Sequence, residues 1–68
     1  MTLLTFSIEE VVCRARAEFL EMPGLYLTAA QAQRLWSLDR ETCHLVLATL
    51  VEGGFLRRTA GGQFVRAN

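Results

Sequence analysis

The stretch TAAQAQRLWSLDRETCHLVLATLVEGG, which runs from Thr28 to Gly54, decides how this chain folds. It holds two segments in which apolar residues recur at spacings of three and four, as in a helix that buries one face. Each segment follows a residue type that commonly caps helices, Thr28 in the first and Asp39 in the second. The pattern predicts two helices joined by a short turn, at about residues 29–36 and 40–52.

The residues around the two helix starts refine these positions. Thr28 is followed three residues later by Gln31, and this spacing predicts a capping box, in which each side chain bonds to the backbone of the other residue. Ser37 and Leu38 are expected to form the turn. Asp39 then caps the next helix, whose positive end favours a carboxylate.

The apolar residues of both helices indicate which sides face the core. We expect the inward residues to be Ala32, Leu35 and Trp36 in the first helix and Cys43, Val46, Leu47, Leu50 and Val51 in the second. The remaining residues of the second helix, expected outward or at the margins, are Arg40, Glu41, Thr42, His44, Leu45, Ala48 and Thr49. Trp36 is expected to anchor its helix, with the indole N–H bonded to a carbonyl group or water. Stacking of Trp36 on a nucleic-acid base is the alternative.

A further helix is predicted upstream, at about residues 7–22. Ser7 is its expected N-cap, with Glu10 three residues later as the capping-box partner. Phe6 is placed to pack on Val11 across the helix start. The apolar stripe of this helix comprises Ile8, Val11, Val12, Ala15, Phe19 and Met22.

Short extended segments are predicted on either side of the central stretch. Pro23 ends the upstream helix because proline is not tolerated in a helix interior, and a minimal strand follows at about 25–27. Downstream, the glycines at 53–54 stop the last helix, and a hairpin at about 55–66 turns over residues 60–62. Pairing the short strand with the hairpin gives an α+β fold. Its architecture is a three-helix winged helix-turn-helix with a small antiparallel sheet.

Length and composition agree with one small folded unit. The 68 residues suffice for a single domain, 1–68, and 51% hydrophobic residues with 21% charged residues exclude disorder. No apolar run reaches the roughly 18 residues of a membrane span, and the first residues lack the features of a secretory signal. We therefore expect a cytoplasmic protein. In a reducing compartment Cys13 and Cys43 would be small buried hydrophobic residues, and a disulfide or redox role is the alternative.

Charge is distributed unevenly although it sums to zero. Residues 1–33 carry four Glu and two Arg, a net charge of −2, whereas residues 34–68 carry five Arg and three acidic residues, a net charge of +2. An anionic partner should therefore contact the C-terminal half.

A set of core, cap and turn residues has a familiar order. These residues are Leu27-Thr28, Ala32, Leu35, Leu38, Arg40-Glu41-Thr42-Cys43-His44, Leu47, Leu50 and Gly54-Phe55-Leu56. With them, the segment from Leu27 to Arg58 resembles the winged helix-turn-helix of bacterial transcription regulators, in particular the IclR-type DNA-binding domain. In such domains the third helix enters the major groove and the wing lies along the backbone or a minor groove.

The resemblance implies a DNA-binding surface and a regulatory role. The residues that it implicates are Arg40, Thr42 and His44 in the groove, Thr28 and Gln31 near a phosphate, and Arg57 and Arg58 on the wing. The implied partner is double-stranded DNA. Because one such unit reads only a short half-site, a homodimer or a larger regulatory protein is also expected. The implied function is transcription regulation.

Two residues depart from the pattern and support an alternative. Glu41 stands where a small hydroxyl residue is common in these domains, and Leu45 stands where a basic residue is common. A winged helix that binds another protein, with little or no DNA affinity, would explain both. A purely structural interpretation is also open, in which His44 is ordinary helix surface and Arg57, Arg58 and Arg66 only protect the hairpin edge from aggregation.

Catalysis, metal binding and cofactor binding are not expected. No Ser/His/Asp or Cys/His group has a credible arrangement, and the acidic residues mostly lie on one solvated helix face. Two Cys and one His cannot supply the four ligands of a structural zinc site. Gly61 and Gly62 form a turn without the surrounding residues of a phosphate-binding loop. No small-molecule ligand is indicated.

Overall fold

The computed structural model describes residues 7–67, and these form three helices and three strands. In chain order they are α1 (Ile8–Glu21), β1 (Leu27–Thr28), α2 (Ala29–Leu35), α3 (Arg40–Glu52), β2 (Leu56–Arg58) and β3 (Gln63–Arg66). The α+β class predicted from the sequence is confirmed for this part of the chain. The expected packing of Phe6 on Val11 lies outside the described residues.

The three strands form one antiparallel sheet in the order β1-β3-β2. Phe64 of the central strand pairs with Leu27 on one side and with Arg58 on the other. The hairpin turn closes where Thr59 N–H donates to Gln63 O at 2.7 Å. Gly62 occupies the turn with φ of 83°, a left-handed conformation that glycine adopts without steric cost. The hairpin therefore connects the region before α2 with the region after α3.

Strand β1 begins later than the sequence pattern predicts. The expected strand covers about 25–27, whereas the paired residues are Leu27 and Thr28. Leu25 N–H donates to Met22 O at 2.9 Å, so the chain is still turning at Leu25. Pairing starts only where the backbone reaches β3.

Side chains cap the three helix starts in the described chain. At α2 the capping box is complete, since Thr28 Oγ1 accepts from Gln31 N–H at 3.1 Å and Gln31 Oε1 accepts from Thr28 N–H at 2.9 Å. Ser7 Oγ accepts from the Glu10 N–H at 3.1 Å. Asp39 Oδ2 accepts from the N–H of Thr42, the third residue of α3, at 3.3 Å. These bonds satisfy backbone donors that a helix start otherwise leaves without partners.

One apolar core joins the helices to the sheet. Its buried members are Val11, Ala15, Phe19, Leu27, Ala32, Trp36, Cys43, Val46, Leu47, Leu50 and Leu56. Helix α3 contacts α1, α2 and β2, and its four buried residues come from the predicted inward stripe. Val51, the fifth predicted member, is half-buried. The core thus lies around α3, and the opposite side of this helix is left exposed.

Four residues expected to be buried are exposed instead. Leu35 is 48% exposed because Trp36, one position later and about 100° further around the helix, fills the inward place. Ile8 and Met22 lie at the two ends of α1, beyond the edge of the core. Cys13 is exposed because it lies about 200° around α1 from the buried Val11.

Helix α2 ends in a left-handed residue that is not glycine. Ser37 has φ of 54°. Leu38 N–H donates to Gln33 O at 3.0 Å and Ser37 N–H donates to Arg34 O at 3.4 Å, the paired bonds of a Schellman motif. Backbone strain is therefore present at the turn between α2 and α3.

Helix α3 ends with the same pair of bonds but with glycine in the left-handed position. Phe55 N–H donates to Leu50 O and Gly54 N–H donates to Val51 O, both at 3.0 Å. Gly54 has φ of 82°, as the sequence predicts for the stop of this helix. The chain leaves α3 directly into the hairpin.

Trp36 joins α2 to α1 and is only 4% exposed. Its indole N–H donates to Glu18 Oε1 at 3.2 Å, and its ring meets Phe19 edge-on with centroids 6.5 Å apart. A carbonyl group or water was the predicted partner of the indole N–H. This prediction was wrong, because the carboxylate of Glu18 accepts the bond. Burial of the ring also removes the surface that base stacking would need.

No helix within residues 7–67 is both long enough and apolar enough to cross a membrane.

Candidate nucleic-acid interface

Five exposed residues of α3 form one continuous surface, which we call the outer face of α3. They line an open depression and are Arg40, Glu41, His44, Leu45 and Ala48. The spacings of three and four residues place them side by side on the helix, as the sequence predicts. The surface therefore combines a guanidinium, an imidazole, a carboxylate and two apolar side chains.

A groove of about 280 Å³ connects the outer face of α3 to the hairpin. Its walls are Ala29, His44, Leu47, Ala48, Val51, Arg58, Gly62 and Phe64. His44 contributes the α3 side and Arg58 the hairpin side. The fold thus brings together two of the candidate residues that are fourteen positions apart in the sequence.

A second groove lies between α2 and α3 and also ends at His44. Its walls are Ala29, Ala30, Gln33, Arg40, Cys43 and His44. His44 therefore stands where the outer face of α3 and both grooves meet. Gln33 was missed by sequence reasoning. The signal was its place four residues after Ala29, which puts the two side chains on one side of α2.

The two arginines of β2 diverge. Leu56 of β2 is buried toward the helices, and side chains alternate along a strand, so Arg58 lies on that same side and Arg57 on the other. Both are exposed. Arg58 consequently joins the groove beside α3, whereas Arg57 lies on the opposite surface of the hairpin.

Thr28 and Gln31, expected near a phosphate, are already engaged in the capping box of α2. Their acceptor atoms are occupied by each other's backbone N–H groups. The Gln31 amide nitrogen and the Thr28 hydroxyl proton are the donors that remain for an anionic ligand. Their first role is to start α2.

Thr42 is held by Asp39 at the start of α3. Hydrogen bonds from the Thr42 hydroxyl and backbone N–H keep the pKa of the Asp39 carboxyl below its usual range. Thr42 is half-buried, unlike its neighbours Arg40 and His44. The structure therefore separates Thr42 from the other two groove candidates of α3.

Cys43 lies beneath this surface and joins α2 to α3. Its thiol donates to Ala29 O at 3.6 Å. Burial, together with the nearby charge of Asp39, raises the pKa of the Cys43 thiol. The neutral thiol is thus favoured, as expected for a structural cysteine. Within the described chain, no three His, Cys, Asp or Glu side chains cluster as a metal site would require.

The arginines divide into paired and free groups. In residues 7–67 one ion pair forms, between Arg14 and Glu18 at 4.0 Å. The guanidinium carbons of Arg16 and Arg66 lie 5.2 and 4.8 Å from the ring centre of Phe55. The contact of Arg16 with Phe55 joins α1 to the start of the hairpin, and that of Arg66 with Phe55 lies within the hairpin. Arg34, Arg40, Arg57 and Arg58 make no ion pair with another described residue.

No protein-family model matches this chain, and no match was found among curated proteins or solved structures.

Proposed function

We propose that this protein is a small DNA-binding winged helix-turn-helix protein, similar to the IclR-type DNA-binding domain, that takes part in transcription regulation. It acts by binding a short duplex half-site, without catalysis, as a homodimer or with a larger regulatory protein. In this proposal α3 enters the major groove and the β2–β3 hairpin is the wing.

The observation that supports this proposal best is the groove shared by His44 and Arg58. It makes the outer face of α3 continuous with the hairpin, so that one ligand can contact both. Arg40 lies on the same outer face and makes no ion pair within the described chain. An unpaired cation of this kind can neutralise a DNA phosphate. Binding is then favoured because the counterions condensed on the DNA are released.

The dimensions of α3 suit the major groove. The helix has 13 residues, and at 1.5 Å per residue it is about 20 Å long. A major groove about 12 Å wide admits one α-helix. The inner side of α3 is occupied by the core, so only the outer face of α3 is free to contact a ligand.

The experiment is a salt titration of binding to a labelled random-sequence 20-base-pair duplex, followed by fluorescence anisotropy. Arg58→Ala should weaken binding and reduce the slope of log affinity against log salt by about 0.9, the value for one phosphate contact. Arg57→Ala should have a smaller effect, because Arg57 lies on the opposite surface of the hairpin from this groove, and the double variant should weaken binding at least as much as Arg58→Ala.

Arg34→Ala is the matched control. It removes the same charge from an exposed position of α2 that lines none of the three depressions around His44. Its salt slope should stay near that of the native protein. Absence of duplex binding at about 20 mM salt would refute the proposal. Equal losses for Arg34→Ala and Arg58→Ala would show that binding follows net charge alone.

A second candidate function is protein binding, and the exposure of Leu45 favours it. Leu45 is 56% exposed and lies beside Glu41 and Ala48, which makes this part of α3 less basic than a phosphate-binding helix. This alternative predicts no duplex binding by the native chain. It also predicts that Leu45→Arg creates such binding by adding a cation to the same surface.

A further inference from the structure

The outer face of α3 consists of two rows with different chemistry. Arg40 and His44 are four residues apart and form the first row. Glu41, Leu45 and Ala48, at spacings of four and three, form the second. The second row is the part that a general affinity for phosphate does not explain.

Glu41 and Leu45 have no evident role in the fold. Both are exposed, and the Glu41 carboxylate makes no hydrogen bond or ion pair with another described residue. Leu45 lies outside the core, which is built from the opposite side of α3. Their side chains are therefore free to contact a ligand on this surface.

The chemistry of the second row matches particular base edges in the major groove. A carboxylate is repelled by phosphates, and the cytosine amino group at N4 is the donor for which Glu and Asp are suited. Leucine offers only apolar contact, and the thymine C5-methyl is the apolar group on this edge. Glu41 and Leu45 are four positions apart, a rise of about 6 Å along the helix, which is close to two base-pair steps of about 3.4 Å.

Resting on the DNA-binding function proposed above, we infer that Glu41 reads a cytosine and that Leu45 reads a thymine methyl within about two base-pair steps of it. The first row, Arg40 and His44, then lies along the neighbouring purines or phosphates. Glu41 and Leu45 depart from the pattern that is common in the domains this chain resembles. In this inference they are the residues that select the DNA sequence.

The test begins with selection of binding sequences from a duplex library with 12 randomised base pairs. In the selected duplex, replacing the cytosine pair by a thymine pair should weaken native binding on the order of 10- to 100-fold. Glu41→Ala should reduce this discrimination to about twofold or less. Glu41→Gln should transfer the preference to adenine, because an amide pairs with adenine N6 and N7.

Leu45 is tested by replacing the thymine with uracil, which removes only the methyl group. The native protein should lose affinity about fourfold, the effect of one buried methyl-sized group. Leu45→Ala should bind both duplexes equally. Both residues are exposed, so circular dichroism should show native helix content for every variant.

Two results overturn the inference, and they differ in what else they overturn. If duplex binding occurs and weakens in Arg58→Ala, but Glu41 and Leu45 variants select the same sequences as the native protein, the inference alone fails. If the native protein binds no duplex at about 20 mM salt, both the inference and the proposed function fail.

Discussion

Leu45 and Leu47 are the same residue type two positions apart on α3, yet 56% of the first is exposed and 2% of the second. Two steps along a helix turn a side chain by about 200°, so the two leucines point to opposite sides. Leu47 contributes to the core together with Cys43 and Val46. Leu45 lies with Arg40 and His44 on the outer face of α3.

The difference between the two sides shows where the fold constrains the sequence and where it does not. The inner side must fill a fixed volume among α1, α2 and β2, so its residues have to be apolar and of the right size. Nothing in the described core requires any particular residue at Glu41 or Leu45. The residues at these two positions can therefore be changed without disturbing the core.

Truncating each leucine in turn is the strongest way to break this comparison. Leu47→Ala should lower the free energy of unfolding by about 2–5 kcal/mol, because it removes buried methyl groups and leaves a cavity. Leu45→Ala should change it by no more than about 0.5 kcal/mol. Urea unfolding followed by circular dichroism measures both. Similar losses for the two variants would mean that Leu45 is packed in solution.

The ends of α2 and α3 provide the next test, because they share a backbone geometry but not a residue type. Gly54→Ala should cost about 1 kcal/mol, since its φ of 82° is unfavourable for any side chain even though no atom lies near the added carbon. Ser37→Gly should stabilise the protein by roughly 0.5–1 kcal/mol by relieving strain at φ of 54°.

The same urea experiment distinguishes these effects. Ser37→Ala is the control, because alanine keeps the β-carbon and should give no gain. If Ser37→Gly were less stable than the native protein, the serine would be contributing more than a tolerated turn residue does.

The smallest expected effect concerns pH and the start of α3. The pKa of Asp39 is lowered in the folded protein by its bonds from Thr42, so its stabilising contribution is complete above the ordinary carboxyl pKa. That contribution is lost as pH falls through the lowered pKa. Asp39→Asn keeps a good N-cap without a titratable group, so its stability should change less than that of the native protein between pH 7 and pH 3. An identical pH dependence of the two proteins would contradict this assignment.

Local signals in the sequence were sufficient for the helices and for much of the candidate surface. Helix α3 starts and ends at the predicted residues because Asp39 and Gly54 act through neighbouring backbone atoms. Its outer face follows from helical spacing alone. The features that the sequence predicts correctly depend on interactions between residues no more than about five positions apart.

The features that could not be predicted depend on distant contacts. The bond from Trp36 to Glu18 joins residues eighteen positions apart, and the exposure of Leu35 follows from the place that Trp36 takes in the core. Strand alternation separates Arg57 from Arg58, but which of the two joins the groove depends on which side of β2 faces the helices. Local spacing carries no signal for this choice, for the Trp36 bond or for the exposure of Leu35.

The buried indole has one practical consequence. Trp36 is the single tryptophan of the chain, and it touches α1 through Glu18 and Phe19. The depression beside it is lined by Glu10, Val11, Arg14 and Leu38, none of which belongs to the outer face of α3. Intrinsic fluorescence should therefore change when α1 separates from the other helices and stay constant when a ligand occupies the outer face. The protein contains its own optical reporter of folding, independent of the surface at which binding would be measured.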